Sequence, residues 1–148
     1  MITPSKLEGN VLLVDDEEQF LEVLTARLKI RGLTVDSVMA GEDALARIDE
    51  ESFDAIVLDL AMPGLGGIET LRRLKEKQPD LQIIMLTGQA TVKSSIEAMK
   101  LGAEDFLEKP LDLNVLLEKI REAKNKRMLL IEKSHQAEVG NILKSKNW

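Results

Sequence analysis

Five side chains in this sequence have the chemistry to handle phosphoryl groups or metal ions: Asp15, Asp16, Asp59, Thr87 and Lys109. Each stands at or just beyond the end of an apolar run. Asp15 and Asp16 follow VLLV, Asp59 follows FDAIVL, Thr87 follows LQIIML, and Lys109 comes soon after AEDFL. Three carboxylates brought close together cannot all stay ionised without compensating positive charge. Lys109 supplies one unit. A hard divalent cation supplies two more, and carboxylate, carbonyl and water oxygens are the ligands that Mg²⁺ selects. An anionic phosphoryl group is then attracted by the cations and by the Thr87 hydroxyl. Positioning and charge neutralisation are most of what phosphoryl transfer requires. A carboxylate can itself be the nucleophile, giving an acyl phosphate, and Asp59 is the expected one because it ends the central strand.

Taken singly, each residue has a plainer reading. Acids at positions 15 to 18 favour the positive end of a following helix, and that is the expected role of Glu17 and Glu18. Asp59 alone would be a turn acid before AMPGLGG, Thr87-Gly88 a turn, and Lys109 a solvated surface lysine. Their joint placement on strand ends is what separates them from those readings.

The elements that must hold these residues can be traced along the chain. Strand-like runs at 11–14, 33–38, 53–58, 81–86 and 103–107 alternate with amphipathic helical segments. The helices carry Phe20, Leu24 and Leu28; Ala44, Leu45 and Ile48; Ile68, Leu71 and Leu74; Val92, Ile96 and Met99; and Leu113, Leu116, Leu117 and Ile120. Gly32 is placed to stop the first helix and Asp112 to cap the last. Such alternation requires right-handed crossovers and a parallel sheet. VLLV, AIVL and IIML are apolar throughout, as strands covered on both faces must be. LTVDSV and AEDFL contain acids and belong at the edges. The expected fold is therefore α/β, a doubly wound five-stranded parallel sheet of order 2-1-3-4-5. Ligands in such sheets bind beyond the carboxyl ends of the strands, at the switch point between strands 1 and 3.

Composition narrows the function classes. The chain has 148 residues, no cysteine and a net charge of −6. One domain with its own core fits that length, and disulfide frameworks and thiolate metal sites are excluded. Residues after Lys124 carry five basic and two acidic side chains, so the body before them holds −9. An acidic body lacks the basic footprint that nucleic acid needs. No apolar run at the N-terminus suggests a signal peptide and none is long enough for a membrane span. The expected location is the cytoplasm.

In the segments VLLVDDEEQF, DAIVLDLAMPGLGG, IIMLTG and GAEDFLEKPLD, taken in this order and spacing, the sequence resembles the CheY-like receiver domain of a two-component response regulator. The resemblance covers residues 9–124. It implies that Asp59 is the phosphoacceptor, that Asp16 is a direct ligand of Mg²⁺, and that Asp15 acts on the ion largely through water. The backbone carbonyl of Ala61 would complete the protein's share of the metal shell. Thr87 matches the switch hydroxyl, Lys109 the lysine that pairs with the acceptor and then the phosphoryl oxygens, and Phe106 the aromatic switch position. Many relatives have tyrosine where this chain has Phe106, so its inward swing would be a burial event alone. Ala61 and Gln89, two residues beyond Asp59 and Thr87, match positions that tune acyl-phosphate hydrolysis. A cis peptide between Lys109 and Pro110 is also implied. The implied partner is a histidine kinase or a histidine phosphotransfer protein. The implied output is a reshaped face of helix 4, strand 5 and helix 5, which could also serve a homodimer.

Residues 125–148 are expected to extend the last helix, as a linker or a dimerisation segment. Met128, Ile131, Val139 and Ile142 lie near one stripe with His135, while Gly140 weakens the helix. The heptad pattern is too short to define a coiled coil, and His135 does not sit in a kinase-like histidine box. Three rival readings fit the residues less well. A Mg²⁺-dependent aspartyl phosphatase of the haloacid dehalogenase type carries its nucleophile on strand 1 with a second acid two residues later, whereas Ala61 holds that position here. A flavodoxin-like binding module needs a Ser/Thr-rich phosphate loop after strand 1, where this chain has acids. A receiver that binds partners without phosphorylation would not need the complete residue set.

Overall fold

The computed structural model describes residues 8–88 and 91–145. Five strands alternate with five helices: β1 (Asn10–Val14), α1 (Glu18–Ile30), β2 (Thr34–Val38), α2 (Gly41–Glu50), β3 (Ala55–Leu58), α3 (Gly67–Lys77), β4 (Ile83–Thr87), α4 (Val92–Lys100), β5 (Asp105–Glu108) and α5 (Leu113–Ser145). All pairings are parallel and the order is β2-β1-β3-β4-β5. Strand order, edge strands and the long C-terminal helix therefore agree with the sequence reading. The strand starts do not all agree. Phe53, Leu81 and Ala103 precede the ladders, yet all three side chains are buried. Apolar content marks what is packed, and it overruns the hydrogen-bonded ladder by a residue or two.

Alternation along the central strands splits the core in two, since successive side chains point to opposite faces. Leu12, Val14, Ile56, Leu58, Ile83 and Met85 face Ala44 and Ile48 of α2, Leu71 and Leu74 of α3, and Ala98 of α4. Val11, Leu13, Ala55, Val57, Ile84 and Leu86 face Leu21, Leu24 and Leu28 of α1, and Leu116, Ile120 and Ala123 of α5. The edge strands carry their acids at paired positions. Asp36 in β2 is bound by Arg47 of α2, and Asp105 in β5 by Lys119 of α5 at 2.8 Å.

Two helices depart from the simplest amphipathic picture. In α4 the stripe Val92, Ile96 and Met99 is exposed, and the fully buried residue is Ala98. The spacing marks an apolar face correctly but does not say that it turns inward. A reciprocal cap between Thr91 and Ser94 starts this helix. In α5 the helix runs without a break past Lys124. Its ties to the body continue beyond that residue: Lys126 bonds Glu104 at 2.8 Å, and Arg127 donates to Ser52 Oγ at 2.6 Å and lies 3.5 Å from Asp54. From Ile131 to Val139 every residue, His135 included, is exposed.

Candidate functional site

The carboxyl ends of β1, β3 and β4 and the loop after β5 meet on one rim. A buried ladder ends there, so the side chains just past it leave the core together. Asp15 follows Val14 of β1, and Asp59 follows Leu58 of β3, whose Cα partner is Val14. The Asp59 N–H donates to the Val14 carbonyl at 2.9 Å. That bond places the two acids side by side although they are distant in sequence. One carboxylate oxygen each from Asp15, Asp16 and Asp59 lies within 4.8 Å of the others. Asp15 and Asp59 are buried, Asp16 half-buried.

Asp15 and Asp59 are each held by backbone. Asp15 Oδ1 accepts from the Glu17 N–H at 2.9 Å, just before the first turn of α1. Asp59 Oδ1 accepts from the Ala61 N–H at 3.2 Å. Behind Asp59 the chain turns tightly into α3. At Gly67 a Cβ would lie 2.3 Å from the Asp59 carbonyl oxygen and 2.5 Å from Leu60 Cα, so only glycine lets the helix start this close. Thr87 ends β4 fully buried, and its carbonyl accepts from the Lys109 N–H at 2.8 Å. The peptide between Lys109 and Pro110 is cis.

Lys109 enters the acid cluster from the loop after β5. Its Nζ donates to Asp15 Oδ2 at 2.8 Å and lies 3.4 Å from Glu17 Oε1. Its ion pairs among the described residues are with these two acids and not with Asp59. Electrostatics follow from the geometry. Burial pushes the Asp59 carboxyl above the usual carboxylate range, and the charges of Asp15 and Asp16 push the same way. The Ala61 N–H and the Lys109 ammonium only partly offset them. Burial acts to lower the Lys109 ammonium, but the Asp15 bond and the charges of Asp15, Asp59 and Glu17 outweigh it, and the group is held above its ordinary value. One ammonium among three clustered acids and Glu17 leaves negative charge in excess. Hard oxygen donors with excess negative charge are what a small divalent cation takes up.

A family model for the response regulator receiver domain matches residues 11–121. The chain belongs to that family. The transcriptional regulatory protein ZraR of Salmonella typhimurium is 37% identical over 114 residues, 77% of this chain and 26% of that protein. The C4-dicarboxylate transport transcriptional regulatory protein DctD of Pseudomonas aeruginosa is 36% identical over 132 residues, 87% of this chain and 28% of that protein. Among solved structures, a response regulator receiver domain from Clostridium thermocellum superposes with a TM-score of 0.78 at 33% identity, covering 82% of this chain and 98% of that one. The chain thus spans about a quarter of the length of the two transcriptional regulators and nearly all of the isolated receiver. It is a receiver domain of two-component signalling, with transcriptional regulators among its relatives.

Within this receiver, Asp15, Asp16 and Asp59 cluster, Lys109 joins them through Asp15, and Thr87 meets Lys109 through its backbone carbonyl. Phe106 lies on β5 opposite Met85, half-buried against the core that α2, α3 and α4 share. Ala61 is exposed in the loop after β3. Gln89 lies outside the described residues. Two further residues escaped the sequence reading. Glu17 precedes α1 and reaches Lys109, so it is more than a first-turn acid. Phe20, half-buried on α1, sets its ring 4.1 Å from Lys109 Nζ. Helical spacing marked Phe20 as apolar but gave no sign of what its ring would face. No described helix is long and apolar enough to cross a membrane.

Proposed function

We propose that Asp59 accepts a phosphoryl group from the phosphohistidine of a histidine kinase or histidine phosphotransfer protein, in a Mg²⁺-dependent reaction. The observation that carries this reading is the convergence of Asp15, Asp16 and Asp59 at the mouth of the sheet, with Lys109 bonded to Asp15 beside them. The Asp59 carboxylate attacks phosphorus, the bond from phosphorus to the donor imidazole breaks, and its electron pair leaves with the imidazole. A magnesium ion held by Asp15, Asp16, Asp59 and the Ala61 carbonyl would offset the carboxylate charge and that of the incoming oxygens. Lys109 and the Thr87 hydroxyl then have a dianion to bind, and both stand on elements that bracket β5.

The switch follows from that charge. Movement of Thr87 toward the phosphoryl group makes room for Phe106, and burial of that ring reshapes the face of α4, β5 and α5. Exposed Val92, Ile96 and Met99 on α4 support an interaction surface there. Met128, Leu129 and Ile131 on α5 support a second one. Either surface suits an output partner or a second copy of the chain. In this reading residues 9–124 form the receiver and 125–148 a helical extension, of which 146–148 lie outside the described residues. The protein is a cytoplasmic phosphoacceptor that assists its own phosphorylation and dephosphorylation, with Ala61 and Gln89 tuning the acyl-phosphate lifetime.

The test is incubation with acetyl phosphate, with and without Mg²⁺, followed by intact mass measurement. One phosphoryl adduct, acid-stable and base-labile, is expected only with Mg²⁺ and is lost in Asp59→Asn. An adduct that persists unchanged in that variant moves the site elsewhere.

A further inference from the structure

The ammonium of Lys109 has a third neighbour besides Asp15 and Glu17. The ring of Phe20 lies 4.1 Å from Nζ, inside the ~6 Å within which a cation is attracted by the negative face of an aromatic ring. Glu17 and Phe20 are three residues apart, which puts them on the same side where α1 begins. Together with Asp15 they surround an ammonium that has left bulk water: the Lys109 side chain is only 14% exposed. A desolvated ammonium gains more from a ring face than an exposed one does. Asp15 and Glu17 draw it toward β1 and α1, and the ring sits with them there. Asp59 holds no ion pair with it.

We propose that Phe20 is a positioning residue for Lys109, its ring face fixing the ammonium at the mouth of the acid cluster. The inference rests on the reading of Asp59 as the phosphoacceptor for its functional consequence, but not for its geometry. A metal ion that engaged Asp15 would weaken the shortest bond of Lys109. The ring, uncharged and fixed by the helix, does not titrate or bind the ion. It keeps the ammonium beside the site, ready for the new oxygens on Asp59. A leucine at position 20 would fill similar apolar space against Leu24 and Leu113 but would offer no ring face.

Two measurements test this. The first uses the wild-type protein. The ε-methylene resonances of Lys109, assigned by their loss in Lys109→Arg, are expected upfield of those of the solvated lysines, because they lie over a ring. They return to the common position in Phe20→Leu. The second is the rate of phosphoryl uptake from acetyl phosphate at saturating Mg²⁺. Phe20→Leu is expected about fivefold slower, the scale of one cation–π contact, while Phe20→Trp stays near the wild-type rate. Thermal midpoints of both variants check folding. A Lys109 resonance at the common position in the wild type overturns the proposal. So does uptake in Phe20→Leu at the wild-type rate, or equal slowing in the leucine and tryptophan variants. Absence of uptake in the wild type would instead count against the phosphoacceptor reading, and the resonance arm would still decide the role of Phe20.

Discussion

Lys109 and Asp15 stand 94 residues apart and share a 2.8 Å bond at the mouth of the sheet. The lysine takes a carboxylate that a metal ion would also use, so the two cations compete for one acid. Replacing Lys109 by Met keeps the aliphatic stem and removes the charge. In metal-free buffer Asp15 then loses its partner while buried, and the expected loss of unfolding free energy is ~1–3 kcal/mol. Urea titration in EDTA measures it. With the competing ammonium gone, Mg²⁺ is expected to bind the variant more tightly, and because the ion favours the native state, excess Mg²⁺ narrows the stability gap. A gap that is the same with and without Mg²⁺ would contradict the competition.

Asp59 makes the opposite kind of contribution. Its carboxyl is raised above the usual range by burial, with the charge of Asp15 adding to it. The native state therefore holds this proton longer than the unfolded chain, and stability falls as pH climbs from the ordinary carboxylate range through the raised native value. Asp59→Asn keeps an oxygen for the Ala61 N–H and removes the charge. Above that window the variant is expected to be more stable than the metal-free wild type, with the higher thermal midpoint. Below the window the two should converge. Thermal melts in EDTA across the acid range read the convergence directly.

The same acids show which parts of the molecule could be read from the chain. VLLV, AIVL and IIML are apolar on both faces, so their interior position, the strand order and the convergence of Asp15, Asp59 and Thr87 follow from hydrophobic pattern and parallel topology. Side-chain contacts between separate elements do not follow. Nothing in the spacing of Phe20 shows that a lysine beyond β5 will lie over its ring. Val92, Ile96 and Met99 form a stripe at helical spacing, yet α4 packs through the small Ala98 and leaves that stripe outside. Periodicity defines an apolar face; only packing decides whether it is core or interface.

Gly67 is expected to be the residue behind the site that tolerates change least. A methyl group there meets the Asp59 carbonyl oxygen and the Leu60 backbone at distances no real contact shows. Backbone cannot rotate away as a side-chain tip can. Gly67→Ala is expected to cost ~1–3 kcal/mol and to slow phosphoryl uptake by displacing Asp59. Gly66→Ala gives a contrast: its Cβ would meet nothing within 4 Å, but its φ of +79° is a glycine conformation. Its penalty is strain of ~1–2 kcal/mol. Chemical denaturation of both variants, with uptake rates alongside, separates collision at the acceptor from strain in the loop. Position 67 should lose the larger share of its rate.

The helix α5 carries the last expectation. Leu116, Ile120 and Ala123 are buried against the sheet, so this first portion is core. Beyond it the attachment becomes polar. Lys126 reaches Glu104, and Arg127 reaches Ser52 and Asp54 near the amino ends of β5 and β3. Past Leu130 the side chains are exposed through Val139. A chain ending at Ile131 should therefore keep the full stability of the monomer. One ending at Lys124 should lose on the order of 1 kcal/mol, the scale of a few half-exposed polar bonds. Urea titrations of the two truncations measure the difference. If both match the full-length chain, Lys126 and Arg127 contribute nothing measurable and the receiver closes at Lys124. If only the shorter one is weakened, the receiver includes the helix through Arg127, and the segment that can pair with another helix starts later than composition alone suggests.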